Sequence, residues 1–177
     1  MSSRDCSDSG HKLKLVPTYL GLGSNIGDRE NHLRQALDHL AAPGLHILRV
    51  SPIYETEPID YTNQRWFLNL VAEAETSLFP MQVLARIGRV ERALGRVRTV
   101  PKGPRTIDID ILLFGNAVVD TRELTIPHPA LHERRFALEP LCEIAGEVRH
   151  PVLKRTMREL RDALPHGTGA VRKMQKP

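Results

Sequence analysis

Two aspartates stand in the otherwise apolar stretch RTIDIDILLFG, at residues 105–115. Side chains alternate along a β-strand, so Asp108 and Asp110 would share one face of a strand here and the isoleucines would share the other. The apolar face is then core. On the acidic face, two like charges about 7 Å apart repel each other, so we expect a positive group beside them. Carboxylate oxygens are also the ligands that Mg²⁺ prefers, together with water and substrate phosphates.

Cationic side chains are concentrated just before these aspartates. They are Arg86, Arg89, Arg92, Arg96, Arg98, Lys102 and Arg105. For the first three, a solvated helix face is an equally good interpretation. The whole chain has a formal charge of +4 and a pI near 9.3, which favours an anionic partner, either nucleic acid or a nucleotide. Carboxylates beside arginines indicate a metal and phosphate site, and no serine with a neighbouring base suggests a covalent nucleophile.

Three further segments could contribute to binding. The segment GLGSNIGD lacks the GK[ST] ending of a phosphate-binding loop, so we interpret its glycines as a tight turn between strand and helix, with ligand contact as the alternative. Phe67 and Asn69 would share a strand face and could hold a flat heterocycle, unless Phe67 simply packs under a helix. The segment PHPALHERRF adds His128, Arg134 and Phe136, each of which could also be an ordinary surface or core residue.

Apolar periodicity predicts the elements that position these side chains. A short strand is followed by a helix that begins at the N-cap Asp28, strands at 46–56 and 66–76, a helix at 80–94 and the aspartate strand. A Gly115-Asn116 turn predicts a hairpin into AVVD, and RRFALEPLCEIA and TMRELRDAL predict two C-terminal helices. The order predicts a ferredoxin-like α+β sandwich. Its antiparallel sheet would carry helices mainly on one face and leave the other open for ligands, with C-terminal helical additions.

The length of 177 residues and a hydrophobic content of 41% predict one globular domain. We place it at residues 15–164, between polar segments at 1–14 and 165–177 that we predict to be flexible tails. The N-terminal segment lacks the apolar centre of a secretory signal, and no run is long enough to span a membrane. We therefore expect a cytoplasmic protein with no membrane partner.

The chain resembles the 6-hydroxymethyl-7,8-dihydropterin pyrophosphokinase family of folate biosynthesis. The resemblance covers about residues 18–145 and lies in five motifs in the family's order, YLGLGSNIGDR, YETEP, WFLN, GPRTIDIDILLFG and LTIPHPALHERRFALEPL. It implies a Mg²⁺-dependent diphosphotransferase that moves the terminal pyrophosphate of ATP to the pterin hydroxymethyl group and releases AMP. It also implies ATP as co-substrate, two Mg²⁺ ions and a reduced pterin as second substrate.

The same resemblance implies a role for each matching residue. The catalytic residues would be Arg96, Arg105, Asp108 and Asp110, and the two aspartates would hold the Mg²⁺ ions. The nucleotide would contact Glu91, Arg98, Arg105, Ile111, Thr125, His128 and Arg134. The pterin would be bound by Thr56, Pro58, Ile59, Phe67, Asn69 and Phe136, with the two phenylalanines sandwiching its ring. The segment GRVRTVPKGPR would be a loop that closes over the nucleotide.

Two other functions are compatible with parts of this pattern. A non-catalytic RNA-binding domain can have the same order of elements and a basic charge, but aspartates on the binding face would repel phosphate without a metal. A Mg²⁺-dependent nucleotidyltransferase would also use paired aspartates, and only its products would differ. We expect small-molecule substrates, no nucleic-acid partner and a monomer.

Overall fold

The computed structural model describes residues 14–58, 63–96, 103–165 and 169–175. The predicted tail at 1–14 lies almost wholly outside the described residues. So do two predicted site residues, Ile59 and Arg98. The elements, in chain order, are β1 (Val16–Ser24), α1 (Arg29–Leu40), β2 (Leu45–Val50), β3 (Tyr54–Thr56), β4 (Phe67–Thr76), α2 (Pro80–Ala93), β5 (Asp108–Phe114), β6 (Val119–Asp120), β7 (Thr125–Ile126), a 3₁₀ turn (Leu131–Glu133), α3 (Arg135–Ala145), α4 (Met157–Asp162) and β8 (Val171–Lys173).

Both long helices begin and end at residues suited to those positions. The side chain of Asp28 accepts a hydrogen bond from the backbone N–H of Asn31 and so caps α1, as the sequence predicts. Helix α2 has Pro80 in its first turn, and Gly95 follows its end with φ of 75°. Glycine adopts a positive φ without steric cost, so Gly95 can end the helix where the sequence predicts.

The main sheet has the strand order β5-β1-β4-β3-β8, and β2 also pairs with β4. Strand β1 lies between β4 and β5 and is antiparallel to both. Strands β2 and β3 lie one after the other along the outer edge of β4. This is the antiparallel ferredoxin-like arrangement that the order of elements predicts.

The sheet has helices on both faces, and this corrects the prediction of one open face. Helices α1 and α2 cover one face, where their side chains pack on Leu20, Leu70, Ile109 and other buried residues of the strands. Helices α3 and α4 cover part of the opposite face, packing on Tyr19, Val71 and Leu112. Only the part of this second face beyond α3 is left for a ligand. Among the described residues, no helix is long and apolar enough to cross a membrane.

Three predicted elements differ from the structure. The predicted strand at 46–56 is two strands, because Pro52 lacks an N–H and the chain leaves the ladder between Val50 and Tyr54. The predicted hairpin of the aspartate strand is wrong, because β6 pairs with β7 in a separate two-stranded sheet. The predicted flexible tail at 165–177 is wrong for Val171–Lys173, which form β8 and pair with β3. A three-residue strand carries too short a pattern to be recognised from sequence.

Candidate active site

A cavity of about 410 Å³ opens on the second face of the sheet, beside the start of α3. Strands β1, β4 and β5 form its floor, the end of β3 forms one wall, and the 3₁₀ turn with the start of α3 forms the other. Of the residues predicted from sequence, nine line it: Thr56, Pro58, Phe67, Asn69, Arg105, Asp108, Asp110, Arg134 and Phe136. The structure therefore brings together predicted residues from four separate segments of the chain, and β1 adds a fifth segment to the lining.

Two glycines of β1 make the floor of the cavity flat. Gly23 lies opposite both Asn69 of β4 and Asp108 of β5, and Gly21 lies opposite Val71 and Asp110. Residues directly opposite in antiparallel pairs point to the same face, so the glycines lie between the side chains that line the site. A Cβ atom at residue 23 would lie 2.6 Å from Oδ1 of Asn69.

This role differs from the turn that the sequence predicts for the glycines of GLGSNIGD. Only Gly27, with φ of 67°, has a conformation that requires glycine in that turn. Gly21 and Gly23 are two residues apart within a strand, and a strand with glycine at every second position has one face without side chains. That spacing was the available signal. Leu112, Gln64, Glu57 and Glu133 also line the cavity and were not predicted.

One end of the cavity carries aromatic and amide groups. Phe67 and Asn69 share a face of β4, and Phe136 stands at the start of α3. The amide nitrogen of Asn69 donates a hydrogen bond to Oγ1 of Thr56 at 2.7 Å, and both side chains are buried. This bond fixes the orientation of the amide, so its oxygen is available to a ligand. The alternative interpretation, that Phe67 packs under a helix, does not hold for a side chain that lines the cavity.

The other end of the cavity is charged, and Asp108 is at its centre. Nη2 of Arg96 lies 2.7 Å from Oδ1 of Asp108, and Arg105 donates to the other oxygen. Arg96 also donates to the carboxylate of Glu91. Glu91 in turn accepts a hydrogen bond from the backbone N–H of Ile109 at 2.9 Å. Burial raises the pKa of Glu91, against the lowering effect of that bond and of Arg96.

Asp110 faces a second cationic group. Its Oδ2 lies 3.6 Å from Nη1 of Arg134 and 3.8 Å from Nε2 of His128. Burial and the charge of Asp108 raise the pKa of Asp110 to about 6, and Arg134 opposes this effect. Burial and Arg134 lower the pKa of His128 to about 4, so its ring is neutral at pH 7. Both ring nitrogens of His128 face donors, because the N–H of Ala130 lies 3.2 Å from Nδ1 and Nη1 of Arg134 lies 3.2 Å from Nε2.

Asn25, which is 1% exposed, ties the two ends together. Its Oδ1 accepts from the backbone N–H of Arg105 at 2.8 Å, and its own N–H donates to the carbonyl of Arg105. Its amide nitrogen donates to Oε1 of Gln64 and to the carbonyl of Arg65. The segment before β5 and the segment before β4 are thus held by one side chain, which the sequence analysis did not identify.

Some predicted nucleotide residues lie outside this cavity. Thr125 and His128 line a neighbouring cavity of about 330 Å³, with His132 and His150. Ile111 is 5% exposed and packs in the core under α1 and α2. Glu91 lies behind Arg96 and does not line the cavity, but it pairs with Arg96 and with the backbone of β5 at Ile109.

The residues present fit a divalent cation that also binds phosphate. Asp108 and Asp110 place two carboxylates on one face of β5, toward the cavity. Within the described ranges, no group of three or more His, Cys, Asp or Glu side chains is arranged as a closed metal site. Two protein carboxylates with the rest of the shell left to water and phosphate is the arrangement that suits Mg²⁺.

Comparison with known proteins gives a consistent result. Residues 19–146 match the family model of 7,8-dihydro-6-hydroxymethylpterin-pyrophosphokinase, or HPPK. The 2-amino-4-hydroxy-6-hydroxymethyldihydropteridine pyrophosphokinase of Bacillus subtilis is 48% identical over 131 residues, which are 73% of this chain and 78% of that protein. A folic acid synthesis protein of Pneumocystis carinii is 38% identical over 85% of this chain, but the match spans only 21% of that protein.

Solved structures show the same fold. The crystal structure of wild-type Plasmodium falciparum HPPK-DHPS matches with a TM-score of 0.66 at 19% identity, over 84% of this chain and 44% of that one. At that identity the likeness is evidence of fold. The sequence matches go further, because the family model covers well over half of the chain and the Bacillus subtilis relative is similar over most of its length. The chain belongs to the 7,8-dihydro-6-hydroxymethylpterin-pyrophosphokinase family.

Proposed function

We propose that this chain transfers pyrophosphate from ATP to the hydroxymethyl group of 6-hydroxymethyl-7,8-dihydropterin. The pterin hydroxyl oxygen would attack the β-phosphorus of ATP. The bond between that phosphorus and the α,β-bridging oxygen would break, AMP would leave with the bridging oxygen, and the hydroxyl proton would be released. Family membership supports this reaction, and so does the Bacillus subtilis relative, whose name is that of a hydroxymethyldihydropteridine pyrophosphokinase.

One observation carries the proposal: Asn69, Gly23 and Asp108 lie in one row across three neighbouring strands. Two strand spacings of about 4.8 Å separate the backbones of Asn69 and Asp108 by about 10 Å. Gly23 leaves the space between them empty. A flat ring held at Asn69 therefore reaches along the floor toward the charged end, where phosphates would lie. The arrangement suits a reaction between a heterocycle and a polyphosphate.

We assign the aromatic and amide end to the pterin. Phe67 and Phe136 would stack on the two faces of the ring, and the Asn69 amide oxygen would accept from its edge. Thr56 would act mainly by orienting that amide. Pro58 and Ile59, the second of which is outside the described residues, would contribute backbone groups to the same edge.

The charged end is assigned to ATP and Mg²⁺. We propose that Asp108 and Asp110 hold two Mg²⁺ ions, which would neutralise phosphate charge when bound. Arg105, Arg134 and Arg96 would add positive charge from the protein. Arg96 and Arg105 are now paired with Asp108, so they must exchange this carboxylate for phosphate oxygens when nucleotide binds. Phosphoryl-type transfer depends mainly on positioning and electrostatics, so no covalent nucleophile is needed.

We assign the neighbouring cavity, which Thr125 and His128 line, to the nucleotide as well. Neutral His128 would contact the phosphates beside Arg134, and Thr125 would contact the nucleoside. Arg98 lies outside the described residues, and we keep it as a proposed phosphate ligand. Glu91 would hold Arg96 in place. Ile111 would contribute only backbone groups, since its side chain packs in the core.

Product analysis tests this function. With the reduced pterin, ATP and Mg²⁺, AMP should form one for one with pterin pyrophosphate. An ATP analogue with methylene in the α,β bridge should bind without reacting, because the bond that must break is then P–C. The β,γ-methylene analogue should remain a donor. ADP as main product would indicate an ordinary kinase, and release of free pyrophosphate would indicate a nucleotidyltransferase; either would overturn the proposal.

A further inference from the structure

Strand β8 lies outside the region that matches the family model, which ends at residue 146. It nevertheless pairs antiparallel with β3, whose end forms a wall of the cavity. The N–H of Glu57 donates to the carbonyl of Ala170 at 2.9 Å, and the N–H of Ala170 donates to the Glu57 carboxylate. At the other end of β3, the N–H of Met174 donates to the carbonyl of Ile53. The pairing therefore extends along all of β3.

Side chains on both faces of β8 reinforce this pairing. On one face, the guanidinium of Arg172 lies 4.9 Å from the centre of the Trp66 ring. Trp66 directly precedes Phe67, so this contact restrains the residue before the proposed stacking ring. On the other face, Lys173 and Tyr54 both donate to Oε1 of Glu143 in α3, at 2.8 Å and 2.6 Å.

We propose that β8 is a positioning element for the pterin and leaves nucleotide binding unaffected. Strand β3 has three residues and pairs with β4 along one edge. Strand β8 pairs along its other edge and so supplies the second row of backbone hydrogen bonds, without which β3 would be an edge strand. The groups that β8 restrains are next to Thr56, Pro58 and Phe67 in the chain. Among the described residues, the hydrogen bonds and the ring contact of β8 go to β3, Trp66 and α3, and none goes to Arg105, Asp108 or Arg134 of the charged end. The inference rests on the proposed function for the identity of the ligand.

If β8 restrains this wall of the cavity, removing its contacts should weaken pterin binding. A ligand binds more weakly when the protein groups that contact it must first be ordered, because the cost of ordering them makes the binding free energy less favourable. Arg172→Ala removes one exposed cation–aromatic contact, so we expect pterin binding about two- to fivefold weaker. A chain shortened to end at residue 168 loses the whole strand, and we expect a loss of about tenfold or more.

The experiment measures the two ligands separately. Pterin binding is titrated by fluorescence in the presence of saturating α,β-methylene ATP and Mg²⁺, and binding of that analogue is titrated alone. We expect the pterin dissociation constant to rise in Arg172→Ala and in the shortened chain, with that of the analogue changed less than about twofold. Arg172→Lys keeps a cation over Trp66 and should restore most of the affinity. Arg34→Ala, an exposed arginine on α1, is the matched control and should change neither constant.

The outcomes separate this inference from the proposed function. If the full chain forms no AMP with pterin and ATP, the proposed function fails and the inference fails with it. If the full chain forms AMP but Arg172→Ala and the shortened chain bind pterin as before, the inference alone is wrong. Equal weakening of both ligands in Arg172→Ala would indicate general destabilisation and would also overturn it.

Discussion

At residue 23 it is the lack of a side chain that makes the site. Gly23→Ala adds one methyl group where Oδ1 of Asn69 lies 2.6 Å away, and φ there is not positive, so the backbone itself tolerates alanine. The Asn69 amide must then move out of its bond to Thr56 and into the cavity. We expect pterin binding at least about tenfold weaker and a loss of about 1–3 kcal/mol of stability from overpacking.

The control is another glycine to which a methyl can be added without harm. Gly88 is within α2, and a Cβ there would meet only the flexible end of Arg92 at 3.3 Å. Gly88→Ala should leave both ligands' binding unchanged and stabilise the fold by about 0.4–1 kcal/mol, since alanine loses less conformational freedom in a helix. Titration and thermal unfolding of both variants decide the matter. Normal pterin binding by Gly23→Ala would contradict the floor assigned to this strand.

Substituting either aspartate of β5 should lower turnover without changing the fold. Asp110→Asn and Asp108→Asn keep the size of the side chain but remove the charge that would hold the metal. We expect each to lower turnover by about 10²- to 10³-fold with an unchanged circular dichroism spectrum. Asp38→Asn, an exposed carboxylate on α1, is the control and should retain full turnover. Near-normal turnover in either site variant would contradict the proposed metal ligands.

At the scale of elements, helices and strands with a strong local pattern could be predicted from the sequence, whereas very short strands and pairings between distant strands could not. The alternation in β4 and the paired aspartates of β5 are confirmed as strands, and Asp28, Pro80 and Gly95 mark helix ends as predicted. These signals are local. The partner of β6 and the existence of β8 depend on contacts with residues distant in sequence, which no local pattern encodes.

The same distinction applies to the site. Residue types identified the aspartates, arginines and aromatics, because each carries recognisable chemistry. Gly23 and Asn25 carry none by themselves, and their importance appears only when the strands and segments around them are assembled. Thr125 and Ile111 came from the resemblance, and the structure places them beside and beneath the cavity rather than in it.

The Asn25 side chain joins two elements, so its loss should affect both substrates. Asn25→Ala removes the acceptor for the Arg105 N–H and the donors to Gln64 and Arg65, in a buried place. We expect stability to fall by about 1–3 kcal/mol and KM to rise for both pterin and ATP. Asn31→Ala, which removes a side chain that accepts from Arg34 within α1, should change neither KM. A rise in only one KM would show that the two segments are not held together by this residue.

At the scale of the whole molecule, the cavity is lined by segments as far apart as Thr56 and Phe136, so the cavity exists only while both faces of the sheet are packed. The second face depends on α3, α4 and the turn between them. His150 lies in that turn and is 4% exposed. Its Nδ1 accepts from the N–H groups of Val152 and Leu153, and no described residue is bonded to its Nε2.

His150 should make global stability depend on pH in the acid range. Burial, and then His132, lowers the pKa of His150 below its ordinary value of 6.5. As the pH falls through 6.5, the unfolded chain takes up the proton while the folded chain does not, so the free energy of unfolding falls. The slope is at most about 1.4 kcal/mol per pH unit for each such histidine, and His128 adds to it.

His150→Asn keeps an acceptor for the two N–H groups but does not titrate. Denaturant unfolding between pH 7 and pH 5 should give a shallower slope for His150→Asn than for the unmodified chain. Equal slopes in the unmodified chain and His150→Asn would show that the buried ring does not destabilise the fold in acid.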